Sequence, residues 1–400
     1  MLQDRRILVG VTGGIAAYKV ASLVSSLSKA GAIVRVILTA SAEQFVTALT
    51  FATLSRHRAY SDRDFWQADQ GKPLHIELGE WAELFILAPL SANTIGKLAH
   101  GLADNLLTNT VLASRCPILL APAMNTDMWE QKSVQRNWTL LREDDRYHSA
   151  EPGDGLLACD RVGTGRMAEP EELLVQIRSM LHMNGVRDLL GKRVLISAGG
   201  TQEFMDPARF IGNPSTGKMG LALAFAARDR GAEVTLVHAT LPEIPCGVQS
   251  ISTPSAAEME TAMRSHLPNN DWIIMCAAVA DLKPAEKVAY KRPKSELSLS
   301  LALAHVPDIV AGLAKLKQPN QKLIGFAAQT GDYVTPALEK MQRKGLDAIV
   351  ANPIDQAQGG FGSDDNQAMW CDREGNQVPI PLCSKLEMAH LIFDRIIALW

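Results

Sequence analysis

The chain has 400 residues, of which 47% are hydrophobic and 21% charged, and a formal net charge of −3. This length exceeds the span of one hydrophobic core, and the composition excludes an intrinsically disordered or fibrous protein. Lys and Arg are spread along the chain, which argues against nucleic acid or an anionic membrane as the main partner. Since the first residues are polar and no apolar run approaches the roughly 20 residues that span a bilayer, we expect a cytoplasmic protein.

An α/β pattern begins near the N-terminus. Residues 7–11 are apolar, as is typical of a short buried strand, and a Thr-Gly-Gly turn follows them. The next segment predicts an amphipathic helix that ends before Gly31, because apolar residues recur at i, i+3, i+4 and i+7. These residues are Val20, Leu23, Val24 and Leu27. Residues 33–38, 84–87 and 118–120 predict further buried strands.

The same pattern starts again after a charged, helix-prone segment at residues 170–191. Residues 194–197 predict a strand, Gly199-Gly200 a turn, residues 219–229 a helix and residues 234–237 the next strand. Later strands are expected at 272–276, 323–326 and 348–350. We place a domain boundary near residue 188, which gives domains 1–187 and 188–400. The predicted fold is α/β, with two tandem doubly wound Rossmann-like domains and parallel sheets.

Ligands of such sheets bind beyond the carboxyl ends of the strands, so the loops there hold the candidate residues. Gly13-Gly14 precedes a predicted helix and can present N–H groups to a phosphate, although the turn is not GxGxxG. Ser91, Asn93 and Thr94 follow the strand at 84–87, where they could bind a ring or a phosphate or only cap a helix.

Met124 and Asn125 follow the strand at 118–120. Asn125 could orient a carboxylate or an amide, and Met124 could lie against a flat ring. His75 lies in an amphipathic segment, where a single histidine is more often structural than catalytic. Cys159 lies between glycines, a composition that predicts a mobile loop with an exposed thiol.

Five segments of the first half, together with the Cys159 loop, resemble the flavin-dependent cysteine decarboxylases. They are GVTGGIAAYK (10–19), LTASAEQF (38–45), the segment around His75, APLSANTIGKLAHGLADNLL (88–107) and APAMN (121–125). The resemblance implies that FMN contacts Gly13, Gly14, Ile15, Ser41, Ser91, Asn93, Thr94 and Met124.

In that family FMN oxidises the substrate thiol to a thioaldehyde, which makes the cysteine carboxylate leave as CO2. The resemblance implies that His75 is catalytic, that Asn125 holds the carboxylate and that Cys159 donates a proton when the enethiol is reduced. Family members that stop at the enethiol lack this cysteine loop, so its presence favours the complete reaction. Asp160-Arg161 follow the cysteine where the family has Gly-Asp.

The second half contains a near match to a P-loop at residues 212–219. Met219 replaces the hydroxyl residue that would hold Mg2+, and no apolar strand leads cleanly into Gly212. We therefore reject a P-loop. A polar glycine loop before a helix remains, and such a loop suits an anion.

Several segments of this half resemble the phosphopantothenoylcysteine synthetase family. They lie at 197–203, 206–213, 277–281, 307–310, 325–328 and 347–352. The resemblance implies that 4′-phosphopantothenate is joined to cysteine through an acyl-cytidylate, with CTP as co-substrate and Mg2+. The CTP and substrate contacts that it implies are Arg209, Ala277, Asp281, Lys291, Pro307, Asp308, Ile309, Val310, Phe326, Lys340 and Lys344.

By the same resemblance Asn213 holds the acyl-cytidylate and Lys291 assists formation of the amide. Gln329 stands where the family has glutamate, so the metal ligands stay unassigned. Both motif sets occur in the order of the bacterial fusion enzyme of coenzyme A biosynthesis. That family also implies a homo-oligomer, with trimeric decarboxylase units and dimeric ligase units.

Two other functions fit the sequence less well. An NAD(P)-dependent oxidoreductase with two Rossmann-like domains is disfavoured, because neither glycine turn is GxGxxG and no acidic residue ends the second strand. A flavin-binding regulator without activity is disfavoured because the candidate catalytic residues occur together. These residues are His75, Asn125, Cys159, Asn213 and Lys291.

Overall fold

The computed structural model describes residues 1–67, 71–156, 161–242, 244–294, 300–356, 360 and 362–400. The chain forms two compact units, Met1–Val186 and Arg187–Trp400. Each unit is an α/β fold with helices on both faces of a central sheet, as the sequence predicted.

The first unit contains a sheet and a hairpin. Its strands are β1 (Arg6–Val11), β2 (Ile33–Leu38), β3 (Ala59–Tyr60), β4 (Leu84–Leu90), β5 (Ile118–Pro122), β6 (Tyr147–Ser149), β7 (Gly153–Leu156) and β8 (Val162–Arg166). The six-stranded sheet is entirely parallel, in the order β3-β2-β1-β4-β5-β6. Strands β7 and β8 pair as a separate antiparallel hairpin. The strand order reverses between β1 and β4, which is where doubly wound folds open a crevice.

The helices of the first unit cover this sheet. They are α1 (Ala17–Lys29), α2 (Ala48–Ser55), α3 (Asp62–Phe65), α4 (Leu74–Trp81), α5 (Ala92–Ala99), α6 (Leu106–Ala113), α7 (Thr126–Trp129), α8 (Lys132–Arg142) and α9 (Pro170–Met183), with a 3-10 turn at Ala42–Gln44. The predicted helix at α1 is confirmed, since all four periodic apolar residues are buried. Gly31 has a φ of +87°, as expected of the residue that ends a helix.

The alternation of side chains along β1 explains the two cores. Ile7 and Val9 pack with α1 and α9 in one buried cluster, whereas Leu8 packs in a second cluster on the opposite face. Successive residues of a strand point to opposite faces, so a strand covered on both sides is apolar throughout. This explains why the sequence showed uninterrupted apolar runs rather than alternation.

The second unit repeats this plan with additional strands. Its strands are β9 (Arg193–Ala198), β10 (Gln202–Asp206), β11 (Arg209–Gly212), β12 (Glu233–His238), β13 (Gln249–Ser252), β14 (Trp272–Met275), β15 (Leu282–Pro284), β16 (Leu303–His305), β17 (Lys322–Gln329), β18 (Ala348–Pro353), β19 (Asp365–Asp372) and β20 (Gln377–Ser384). The main sheet has the order β13-β12-β9-β14-β17-β18-β19-β20, and it again reverses, between β9 and β14. The pairs β10-β11 and β15-β16 are separate antiparallel hairpins.

The helices of the second unit lie on both faces. They are α10 (Lys218–Asp229), α11 (Ala256–His266), α12 (Ile309–Leu316), α13 (Thr335–Lys344) and α14 (Lys385–Leu399), with a 3-10 turn at Leu267–Asn269. Met263, Leu313 and Met341 of three of these helices share one buried cluster with the sheet. In the part of the chain that the structure describes, no helix combines the length and apolar character needed to cross a bilayer.

The expectation of a wholly parallel second sheet is wrong at one edge. Strands β19 and β20 both pair antiparallel. Only a short turn joins them, and the Asp372 carboxylate accepts hydrogen bonds from the N–H groups of Glu374 and Asn376 within it. Because a parallel pair needs a long crossover, a connection of this length forces the antiparallel arrangement.

Gly220 provides a test of how α10 packs on the sheet. A Cβ at this position would overlap the Cβ of Ala198 and lie 3.0 Å from its Cα, both on β9. We expect Gly220→Ala to destabilise the second unit by about 1–3 kcal/mol, because the helix must move off the strand. Thermal unfolding of the full chain, followed by circular dichroism, measures this effect.

Gly312→Ala is the matched control, since Gly312 lies inside α12 and its Cβ would meet the ends of flexible side chains, with Arg264 Nη2 at 2.8 Å and Glu260 Oε1 at 3.9 Å. This variant should be neutral or slightly stabilising, because alanine is the better helix former. Equal losses in the two variants would contradict the packing described for α10.

Candidate functional sites

In the first unit, the predicted FMN contacts lie at one edge of the sheet. This edge is formed by the carboxyl ends of β1, β2, β4 and β5. The residues there are Gly13, Gly14 and Ile15 after β1, Ser41 after β2, Ser91, Asn93 and Thr94 after β4, and Met124 and Asn125 after β5. They flank the point where the strand order reverses.

Thr12 ties two of these loops together. Its buried hydroxyl donates to the Pro89 carbonyl at 2.7 Å and accepts from the Ser91 N–H at 2.9 Å. The turn after β1 is thereby fixed against the loop after β4. The sequence did not indicate this role for Thr12, because its partners are 77 and 79 residues away.

The glycines of the first turn allow a close approach of backbone. A Cβ at Gly13 would lie 2.5 Å from the Cβ of Ser41, whereas the nearest atom to a Cβ at Gly14 is Pro89 Cγ at 3.9 Å. Ile15 is 58% exposed at the start of the 13-residue helix α1. An exposed apolar side chain beside a helix N-terminus suits a ligand with a flat ring and a phosphate, so these residues fit FMN.

Ser91 and Asn125 each cap a helix. Ser91 Oγ accepts from the Thr94 N–H at 3.4 Å, and Asn125 Oδ1 accepts from the Asp127 N–H at 2.7 Å. A cap accounts for one atom of each side chain. In Asn125 it also fixes the plane of the amide, whose Nδ2 carries two further N–H donors.

His75 is the second residue of α4, the helix that leads into β4. A helix that connects parallel strands runs opposite to them, so its first turn lies at the carboxyl edge of the sheet. The ring contacts Phe65 edge to face, with 5.5 Å between centroids. Its Nδ1 is buried and has no hydrogen-bond partner in the described part of the chain, which is unusual for a structural histidine.

The expectation of a loop around Cys159 is partly wrong. Strands β7 and β8 form a hairpin, and its second strand lies against the Asn125 turn, where the Met124 N–H donates to the Gly165 carbonyl at 3.0 Å. Gly155 and Gly165 both have a φ of +146°, which glycine tolerates, so glycines here shape a hairpin. Cys159 and Asp160 lie outside the described residues.

In the second unit, most of the predicted CTP contacts line one cavity of about 620 Å³. It lies at the carboxyl ends of β9, β14, β17 and β18. The predicted residues that line it are Asn213, Ala277, Asp281, Pro307, Asp308, Ile309, Val310, Phe326, Lys340 and Lys344. Five separate segments of the chain are thus brought together.

Two loops are joined to form one wall of this cavity. The Ala278 N–H donates to the Gly199 carbonyl at 2.9 Å, and the Ala280 N–H donates to Thr201 Oγ1 at 2.9 Å. Asn213 Nδ2 donates to the Val279 carbonyl at 3.1 Å. These bonds place the Asn213 side chain beside the loop that leads to Asp281.

Positive charge is concentrated on α13. Lys340 Nζ donates to the Phe326 carbonyl at 2.8 Å, and burial, together with the neighbouring Lys344 ammonium, lowers the pKa of Lys340 to about 8. Lys344 Nζ lies 3.0 Å from Asp308 Oδ2. Burial alone raises the pKa of Asp308, but the Ala311 N–H and Lys344 outweigh it and hold this pKa below its ordinary value.

Arg209 and Lys291 are not among the lining residues. Arg209 pairs with Asp206 and donates to the Arg292 carbonyl at 3.3 Å, so it lies beside the segment that carries Lys291. Lys291 itself is exposed. Gln329 is also absent from the lining, although its neighbour Ala328 is present.

Several polar residues that line the cavity were not predicted as contacts, among them Lys218, Asn366 and Lys385, together with His305 and Arg343. Lys218 belongs to the segment that resembles a P-loop, which was a usable signal. Asn366 and Lys385 lie in or next to the edge strands that were not predicted. Among the described residues, no three His, Cys, Asp or Glu side chains come together as a metal site.

Comparisons with known proteins agree with this architecture. Residues 1–182 match the Flavoprotein family model, and residues 189–399 match the model of the DNA/pantothenate metabolism flavoprotein C-terminal domain. The two matches together define a flavoprotein of pantothenate metabolism.

Curated relatives extend over the whole chain. The coenzyme A biosynthesis bifunctional protein CoaBC of Bacillus subtilis is 42% identical over 100% of this chain and 98% of its own length. The protein of the same name from Escherichia coli K12 is 38% identical over 99% and 97%. A crystal structure of the C-terminal domain of such a CoaBC protein shares 34% identity, covers 52% of this chain and 96% of that one, and has a TM-score of 0.45. The chain belongs to the family of bifunctional coenzyme A biosynthesis proteins.

The buried charge of Lys340 predicts a pH-dependent cost in stability. Its folded-state pKa near 8 lies below the value of about 10.4 for an unfolded lysine, so the folded state binds fewer protons between these values. The cost is present in full below pH 8 and vanishes as the pH rises towards 10.4. We expect Lys340→Met to raise the stability at pH 7 by about 1–3 kcal/mol and to have little effect at pH 10.

Thermal unfolding at the two pH values measures this difference. Lys344→Met is the control, because the loss of its ion pair with Asp308 offsets the relief of its repulsion with Lys340, so little gain is expected at pH 7. A gain from Lys340→Met that is equal at both pH values would point to apolar packing instead of charge.

Proposed function

We propose that the chain catalyses two consecutive steps of coenzyme A biosynthesis. The second unit joins 4′-phosphopantothenate to cysteine with CTP through an acyl-cytidylate, and the first unit decarboxylates the product to 4′-phosphopantetheine with FMN. The observation that carries this proposal is the match to bifunctional relatives over both units at once. In this proposal residues 1–187 form the decarboxylase and residues 188–400 the ligase.

The decarboxylase site is proposed at the carboxyl edge of the first sheet. Bound FMN would supply the two-electron oxidation of the substrate CH2–SH group that lets its carboxylate leave as CO2. Gly13, Ser41 and the loop that begins at Ser91 would hold the cofactor. Asn125 would orient the carboxylate through its amide, and His75 has a ring nitrogen available to exchange a proton. Cys159 remains the proposed proton donor on the basis of the sequence.

The ligase site is proposed in the cavity of the second unit. A carboxylate oxygen of phosphopantothenate attacks the α-phosphorus of CTP and pyrophosphate leaves, after which the cysteine amine attacks the acyl carbon and CMP leaves. Lys340 and Lys344 would neutralise phosphate charge that builds up in this exchange. Mg2+ is commonly held by phosphates with one or two carboxylates, and Asp281, which lines the cavity, would offer one carboxylate to a metal bound by the phosphates of CTP.

Asn213 is proposed to hold the acyl-cytidylate, since its amide is fixed beside the loop that carries Asp281. Lys291 is proposed to assist the attack of the amine from the exposed segment beside Arg209. Membership of a flavoprotein family favours FMN over NAD(P), and therefore favours the decarboxylase over an oxidoreductase of the Rossmann type. An inactive flavin-binding regulator would release neither CO2 nor CMP.

Product analysis with separate variants tests the two halves. The purified chain should show a flavin absorbance spectrum and should convert phosphopantothenate, cysteine, CTP and Mg2+ to phosphopantetheine, CO2, CMP and pyrophosphate. His75→Asn should still release CMP but should lower CO2 release at least 100-fold, which is typical of the loss of an acid–base group. Lys340→Met should release less CMP from phosphopantothenate, cysteine and CTP. It should still release CO2 when phosphopantothenoylcysteine is supplied.

Each variant is thus the control for the other. A colourless chain that still yields CMP would contradict the proposed decarboxylase function and the role of His75. A flavin-containing chain that releases no CMP would contradict the proposed ligase function. Loss of both activities in His75→Asn would mean that the substitution acts through folding, which the unfolding temperature checks.

We propose further that the enzyme is a cytoplasmic homo-oligomer with trimeric decarboxylase units and dimeric ligase units. Large apolar side chains on the first unit support this, since Leu49 is 75% and Trp66 81% exposed. Light scattering after size exclusion should give a mass several times the 43.4 kDa of the chain. A mass of one chain at micromolar concentration would overturn the proposal.

A further inference from the structure

A second group of charged side chains lines the cavity of the second unit. Lys218 and Lys385 are the first residues of α10 and α14. Lys218 Nζ lies 2.6 Å from Asp364 Oδ1 and 3.1 Å from the Gly362 carbonyl oxygen. Lys385 Nζ donates to the Ser363 carbonyl at 2.5 Å and to the Gly360 carbonyl at 3.4 Å. Neither lysine belongs to the predicted CTP contacts.

Lys385 is buried to an unusual degree for a lysine, with 7% of its surface exposed. Its two hydrogen bonds go to carbonyl oxygens rather than to a carboxylate. Two carbonyls offset only part of the cost of removing an ammonium group from water. Among the described residues these bonds use two of the three N–H donors of the ammonium, which leaves one to donate to a ligand in the cavity.

The local charge balance favours an anion. The charge of Lys218 is offset by Asp364. Lys385 bonds no carboxylate in the described part of the chain, and the negative charges of Asp364 and Asp365 oppose only part of the effect of its burial. Burial, followed by the positive charge of Lys218, lowers the pKa of Lys385, so bringing the two ammonium groups into one cavity costs energy. A bound anion would remove that cost.

The two helices add to this preference. Helix α10 has 12 residues and α14 has 15, and both begin at the cavity wall. Helix N-termini carry partial positive charge and attract phosphates. Lys218 also follows the glycine loop that suited an anion on sequence grounds.

We propose that Lys385, with Lys218, forms a phosphate-binding subsite of the cavity, separate from Lys340 and Lys344. The inference rests on the proposed ligase function, in which two phosphate-bearing substrates share one cavity. The phosphate group is either the end of the CTP triphosphate or the 4′-phosphate of phosphopantothenate. Lys340 with Lys344, and Lys218 with Lys385, would then each bind a different phosphate group.

Calorimetric titration of the full chain with inorganic pyrophosphate tests the subsite directly. Lys385→Met should weaken binding about tenfold, the effect of one lost charge-assisted hydrogen bond, and Lys385→Arg should retain most of the affinity. Lys315→Met on α12 is the matched control, because this exposed lysine is not among the cavity-lining residues. If Lys385→Met does not fold, Lys218→Met replaces it, because Lys218 is more exposed. This variant should also bind pyrophosphate more weakly than the wild-type chain.

Kinetics assign the source of the phosphate. A raised KM for CTP alone in Lys385→Met identifies the triphosphate, and a raised KM for phosphopantothenate alone identifies the 4′-phosphate. Pyrophosphate affinity unchanged in both Lys385→Met and Lys218→Met overturns the inference, as does a lack of binding to the wild-type chain. A wild-type chain that binds pyrophosphate through Lys385 but forms no CMP would retain the subsite and reject the ligase.

Discussion

Parallel strands direct all their carboxyl ends to one edge of a sheet, and this constraint positions both sites. The strands are buried on both faces, so most of their side chains are needed for the two cores. Most candidate functional groups therefore lie in the loops beyond the strands, and Phe326 near the end of β17 is an exception. Where the strand order reverses, between β1 and β4 and between β9 and β14, neighbouring loops diverge and leave a crevice. Asn213 lies in the connection that follows β9, whereas Asn125 follows β5, the neighbour of β4.

In the cavity of the second unit, the residues that would bind a ligand lower the stability of the folded chain. Lys385 is buried and Lys340 half-buried, and both ammonium groups donate hydrogen bonds to carbonyl oxygens. Without a ligand, such groups lower the free energy of unfolding, because burial removes their charges from water. A bound anion raises the free energy of unfolding again. Asp308 reduces this loss of stability at α13, because its carboxylate pairs with Lys344 and also caps α12. The chain thus holds several positive charges near one another and compensates only some of them.

The sequence predicted the central strands and their loops, and it failed where contacts are distant or patterns are weak. Buried strands such as β1 and β9 have uninterrupted apolar runs, and the predicted FMN contacts at residues 13–15 and 91–94 follow such runs. Thr12 was missed because its hydroxyl bonds depend on β4, which is remote in sequence. Strand β19 was missed because three polar residues precede its four apolar ones, so it has neither a long apolar run nor an alternating pattern. Lys385 was missed with it, because its burial follows from the loop that β19 anchors.

The segment at residues 212–219 illustrates why a motif needs its structural context. A P-loop connects a central parallel strand to a helix, so that its backbone N–H groups surround a phosphate. Here the preceding strand, β11, belongs to the separate hairpin with β10, and the chain crosses to α10 from outside the main sheet. A Cβ at Gly200 would lie 2.6 Å from the Asn213 carbonyl oxygen, so the loop is pressed against the turn after β9. The turn after β9 therefore takes the position of a P-loop relative to the sheet, and residues 213–217 cover it. Glycine is needed in the turn after β9 and in the loop at residues 212–219 because the two backbones approach each other closely there.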